Sequence, residues 1–73
     1  MSIADLKEGE KGIIDNVDHN DIPLKLIEMG CLPGNEVELI QRAPFKDPIC
    51  LKINGSVLAI RESIAQLILI HQL

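Results

Sequence analysis

Apolar residues recur along this chain with two different spacings, and the change from one to the other marks its elements. Strict alternation runs through Glu36–Gln41, with Val37 and Leu39 inward, through Ile49-Cys50-Leu51-Lys52-Ile53, and through Val57–Arg61, with Leu58 and Ile60 on one face. A half-buried strand has this period of two because successive side chains point to opposite faces. Gly12–Val17 predicts another strand, and the odd spacing of its inward residues Ile14 and Val17 predicts a bulge. From Pro23 to Met29 the spacing lengthens. Leu26 and Met29 make one apolar pair and Leu24 and Ile27 a second on a neighbouring face, which predicts a helix. A helix this short does not hold alone in water, so one face must dock. Arg61–Gln66 predicts a helical turn, and Leu67–His71 a last strand with Ile68 and Ile70 inward, beside Ala65, and Leu67 and Leu69 outward.

The breaks between these runs have physical causes. Asn20 or Asp21 can cap the helix, with Pro23 in its first turn, where a missing N–H has no helical partner. Gly30 accepts the left-handed conformation that ends a helix. Pro33-Gly34 suits a type II turn, in which the proline presets φ and the glycine takes the positive φ that follows. Asn54-Gly55 is the strongest short hairpin signal, because both residues accept the positive φ of a type I′ turn. Arg42 to Asp47 is predicted as a connecting loop, and Ile3–Glu10 as an exposed lead-in and turn. Short strands punctuated by turns, with one inserted helix, predict a mainly β protein, a small β-barrel.

The segment Lys25-Leu26, Met29-Gly30, Cys31, Leu32, Pro33-Gly34 resembles the FeoA family of small bacterial proteins linked to ferrous iron uptake. Further matching positions follow in order: Arg42-Ala43-Pro44, Asp47-Pro48, Gly55, Leu58-Ala59-Ile60-Arg61, then Ala65, Ile68 and Ile70. The resemblance runs from Leu6 to Ile70. Cys31 stands where a larger aliphatic residue is usual, and Lys25 where arginine is commoner. The resemblance implies an SH3-like fold, with the inserted helix and a helical turn before the last strand. It also implies association with FeoB, the membrane ferrous-iron transporter with a cytosolic GTPase domain. The C-terminal, SH3-like domain of iron-dependent repressors is similar, but that reading needs a DNA-binding domain upstream, and Met1 sits immediately before the present domain. SH3 domains bind proline-rich segments through aromatic grooves, and a chain without Trp or Tyr does not inherit that mode.

Composition narrows the picture. With 73 residues, the chain is expected to be one domain over 1–73, and with 47% hydrophobic but 1% aromatic residues its interior must be aliphatic. No apolar run approaches the roughly 18–20 residues that cross a bilayer, and Met1–Glu10 does not resemble a signal peptide. A soluble, cytoplasmic protein is the expectation. A net charge of −4 opposes nucleic-acid binding, which rewards lysine and arginine. Nine acids and three bases fall in residues 1–38, and two acids and four bases in 39–73.

Candidate chemistry is sparse. The side chains able to hold a metal are His19, His71, Cys31, Cys50, Asp15, Asp18 and Asp21, and they show no close Cys or His pair, so no metal site and no cofactor are predicted. A metal-carrying chaperone would need such a cluster. Cys31 and Cys50 read as free thiols, and Ser56 and Ser63 lack an adjacent histidine, so an enzyme is not predicted. What remains is surface. Leu24, Ile27 and Cys31 beside the helix, Phe45-Lys46 at a loop tip between prolines, and Leu67 with Leu69 on the last strand are the candidate contacts for a partner protein or a second copy. The bland alternative for Leu67 and Leu69 is cover by the N-terminal segment.

Overall fold

The alternating segments all become strands. The computed structural model describes residues 1–18, 20–45 and 47–73. Its strands are β1 (Lys11–Val17), β2 (Glu36–Arg42), β3 (Ile49–Ile53), β4 (Ser56–Ile60) and β5 (Ile68–Gln72). A short helix α1 (Leu24–Glu28) lies between β1 and β2, and α2 (Glu62–Ala65) between β4 and β5. All pairings are antiparallel, in the order β4-β3-β2-β1-β5. The two edge strands do not pair with each other, so the sheet stays open and the predicted barrel is not closed by hydrogen bonds. The predicted bulge is present: the β1–β5 register shifts between Ile14 and Asn16.

The interior is aliphatic. Ile14, Val17, Val37, Leu39, Ile49, Leu51, Ile53, Ile60, Ile68 and Ile70 fill it from all five strands. The expected lead-in is exposed only in part: Lys7, Glu8 and Gly9 are exposed, with the turn at Glu8-Gly9, but the residues before them are anchored. Residues Ile3–Asp5 form a 3-10 turn, and Ile3 and Leu6 are buried in the same core. This turn holds because Asp5 reaches back to the Ser2 N–H at 2.8 Å, satisfying a donor that the turn leaves free. The two residues before the turn lie beside β5, with Ser2 bridging Leu69 and the Ile70 N–H donating to the Met1 carbonyl at 2.9 Å.

The helix start differs from expectation. Neither Asn20 nor Asp21 caps α1. Pro23 occupies the N-cap position, with φ −55° and ψ 136°, and no side chain caps it. Asp18 instead accepts the Asn20 N–H at 2.9 Å in a turn that brings Ile22 into the core. The helix end agrees with the glycine. Gly30 has φ +105°, its N–H donates to Ile27, and the Cys31 N–H donates to Leu26. Those two bonds form a Schellman motif, closed by the buried pair Leu26 and Cys31. Gly34 (φ +92°) with the Asn35 N–H donating to Leu32 gives the type II turn, and Asn54 and Gly55 both have positive φ.

Candidate functional site

Beside the open edge of the sheet the chain leaves a groove of about 630 Å³. One wall is α1 and its approach, with Pro23, Lys25, Leu26 and Met29; the other is the whole run Val57 to Arg61 with Ile64 of α2. Consecutive residues of a strand line one pocket only when the pocket lies along that strand's edge, since its two faces alternate. The Schellman motif aims α1, and the Asn54-Gly55 hairpin sets where β4 begins. Gly30 packs against Asn54, holding the two walls' turns together. Asn35 braces the same loop by donating to the Gly30 carbonyl at 2.7 Å.

At the floor of the molecule a second cluster fixes α2. Arg42, the last residue of β2 rather than of a loop, donates from its guanidinium to the carbonyls of Ala4 (2.6 Å) and Leu6 (2.9 Å). It also lies 3.6 Å from Glu62, whose own N–H donates to Asp47 at 2.8 Å. Arg42 is thus bound to a structural task, whereas Lys25 and Arg61 on the groove have no ion-pair partner among the described residues.

The predicted contact residues do not converge on one site. Leu24 is 68% exposed and Phe45 93% exposed, while Ile27 is half-buried against the core; none of the three lines the groove. Cys31 has no exposed surface, so it is not a contact residue in this fold. Its small thiol is the inner half of the helix stop, and burial pushes its pKa up from 9.0 to about 11. Leu67 and Leu69 point outward as read, 41% and 47% exposed, with the N-terminal segment paired to the β5 backbone but not covering their side chains. Leu67 precedes β5 rather than belonging to it. Lys46 lies outside the described residues, as does His19.

Among the possible metal ligands, two come together: His71 Nδ1 and Asp15 Oδ1 meet at 2.5 Å across β5 and β1, both exposed. No group of three His, Cys, Asp or Glu side chains converges among the described residues. Glu10 is held below the usual carboxylate range, chiefly by the Lys7 N–H and then by the Gln72 amide. The groove residues Val57, Met29, Lys25 and Arg61 are not among the contact candidates read from the sequence. A signal was present in the composition of β4, which carries neither a charge nor a proline.

An open antiparallel sheet of five strands, two short helices and an apolar groove define this small, mainly β domain. The chain belongs to the FeoA domain family, whose model matches residues 1–72. Its fold is similar to the solution structure of the FeoA protein of Chlorobium tepidum, at 28% identity and TM-score 0.91, over 100% of this chain and 70% of that one. The iron(II) transport protein A of Clostridium thermocellum matches over 100% of this chain and 46% of its own length, at 31% identity and TM-score 0.87. Stenotrophomonas maltophilia FeoA, described as a prokaryotic SH3 domain protein complexed with zinc, shares the fold at 21% identity and TM-score 0.82, covering 96% of this chain and 88% of that one. Metal-dependent repressors match at 17–22% identity, a likeness of fold alone. No curated protein sequence matches the chain significantly.

Proposed function

We propose that this chain is a cytoplasmic accessory protein of ferrous iron uptake, an SH3-like module that binds the GTPase-bearing cytosolic part of a FeoB-type transporter and assists or regulates it. The observation that carries the reading is the family match across residues 1–72. The fold supports a binding role, because the groove between α1 and β4 is lined mostly by apolar side chains. No helix among the described residues is long and apolar enough to cross a membrane, in keeping with a partner that sits on the transporter's soluble side. The chain acts as one unit, without catalysis of its own.

Isothermal titration against the cytosolic domain of such a transporter, with GDP and with a non-hydrolysable GTP analogue, tests this. Micromolar affinity that differs between nucleotides is expected; no binding in either state overturns the reading. Titration with ferrous iron under anaerobic conditions separates the metal-carrier alternative. One-equivalent binding that is lost on replacing His19, or His71 with Asp15, in a variant that still folds would favour it over the binding module.

A further inference from the structure

The two edges of the sheet are treated differently. β5 is covered along its backbone by Met1 and Ser2. β4 has no such neighbour. Its two-residue hairpin with β3 pairs Ser56 with Ile53, and the register continues through Leu58–Leu51 and Ile60–Ile49. In an antiparallel ladder that begins this way, Ser56, Leu58 and Ile60 exchange hydrogen bonds with β3, and the residues between them face outward. The N–H and C=O of Val57 and Ala59 therefore point from the edge, and no backbone partner takes them among the described residues.

Natural sheets protect an edge with charge, proline, a bulge or a cover. The sequence Ser56-Val57-Leu58-Ala59-Ile60 has no charge and no proline, its register with β3 is regular, and Val57 is 61% exposed. Beside that edge lies the apolar groove, wide enough at about 630 Å³ to be a site and not a crevice. Its charged residues are Lys25 and Arg61, on opposite walls, and no acid lines it although the chain as a whole is at −4. Asp47 lies near Arg61 on a neighbouring recess, outside the groove, and accepts the Glu62 N–H with one carboxylate oxygen.

We infer that the groove between α1 and β4 receives an extended segment of a partner protein, alternating apolar and acidic residues, which adds to the sheet as a sixth strand along Val57–Ala59. Main-chain bonds to the two outward residues supply register, alternate apolar side chains enter the groove between Met29 and Ile64, and the exposed cations Lys25 and Arg61 favour a segment of net negative charge. A second copy of this chain is the poorer occupant. Its β4 carries no acid, and pairing two copies edge to edge would bring four cations to one seam. The inference rests on the partner-binding reading above but is independent of which protein supplies the strand.

The test is amide hydrogen exchange by NMR on the full chain, with a ten-residue peptide alternating valine and glutamate as probe and a valine–lysine peptide as control. The Val57 and Ala59 amides should exchange fast in the free protein and slow at least tenfold with the acidic peptide only. Ala59→Pro removes an outward N–H that the ladder does not use, and it should abolish binding while the far-ultraviolet spectrum is kept. Lys25→Glu with Arg61→Glu, two exposed side chains, should weaken binding at least tenfold, and it serves as the test should Ala59→Pro not fold. Absence of protection at both amides, equal binding of the two peptides, or protection that requires dimerisation overturns the inference. Peptide docking at β4 with no affinity for the transporter domain would overturn the transporter reading alone. Transporter binding that persists while the acidic peptide gives no protection at β4 would overturn the groove alone.

Discussion

A methyl group added at Gly30 meets two obstacles at once. The backbone there has φ +105°, which L side chains rarely adopt, and the new Cβ would stand 2.8 Å from the Asn54 Cβ. Gly34, at φ +92°, presents the first obstacle alone, since nothing lies within 4 Å of its would-be Cβ. Gly34→Ala should therefore cost about 1 kcal/mol. Gly30→Ala should cost about 2–3 kcal/mol, because the hairpin must also give way. Urea denaturation of both variants measures the difference directly; equal costs would mean that the Gly30–Asn54 approach is readily relaxed. The glycine's conformation was legible in the sequence, from the helix spacing before it and Pro33 after it. Its contact with Asn54, two strands further on, was not, because local chemistry holds no information about which turn a turn will touch. Cys31 makes the same point. Its position one residue past the stop was readable, but burial depends on the Schellman bonds that fold it under Leu26.

Elements defined by their own residues were legible and elements held by distant ones were not. Alternation located β2, β3 and β4 within a residue or so, and Asn54-Gly55 gave the hairpin outright. The glycine and charges of the N-terminal segment look like loop; Asp5 caps its turn locally, but the residue that ties the turn to the sheet, Arg42, is more than thirty residues away. One guanidinium there closes the carbonyl ends of the turn and approaches Glu62 of α2, joining β2 to two short elements that have little of their own to hold them. Lysine offers a point charge in place of that planar fork. Arg42→Lys should lower stability by about 1–2 kcal/mol, the scale of two hydrogen bonds replaced by one. Glu62→Gln should cost about 0.5 kcal/mol or less, since a partly exposed ion pair at 3.6 Å contributes little. Chemical denaturation of the two variants separates the roles. A larger loss for Glu62→Gln would mean that the ion pair, not the carbonyl clamp, orders this corner.

The whole molecule builds its core from residues spread from Ile3 to Ile70, with no aromatic among them. β1 of the acid-rich half lies between β2 and β5, so the two halves of the chain interleave in the sheet. Such an interior has many small contributors and little reserve: a domain of this length is stable by about 4–11 kcal/mol. Removing one fully buried branched side chain costs about 2–5 kcal/mol, so Ile3→Ala should bring the protein close to half-unfolded under mild denaturant. The exposed pair Leu67 and Leu69 lies only a bridge away from Ser2 yet outside that core. Leu67→Thr with Leu69→Thr should change stability by about 0.5 kcal/mol or less, as surface substitutions usually do. Thermal melts followed by circular dichroism compare the two. If the double variant melts far below the parent, the outward leucines are packed and cannot be a contact patch. If Ile3→Ala melts with the parent, the N-terminal turn is only laid on the surface, and the cover it gives to β5 would then be as removable as the open edge at β4 is accessible.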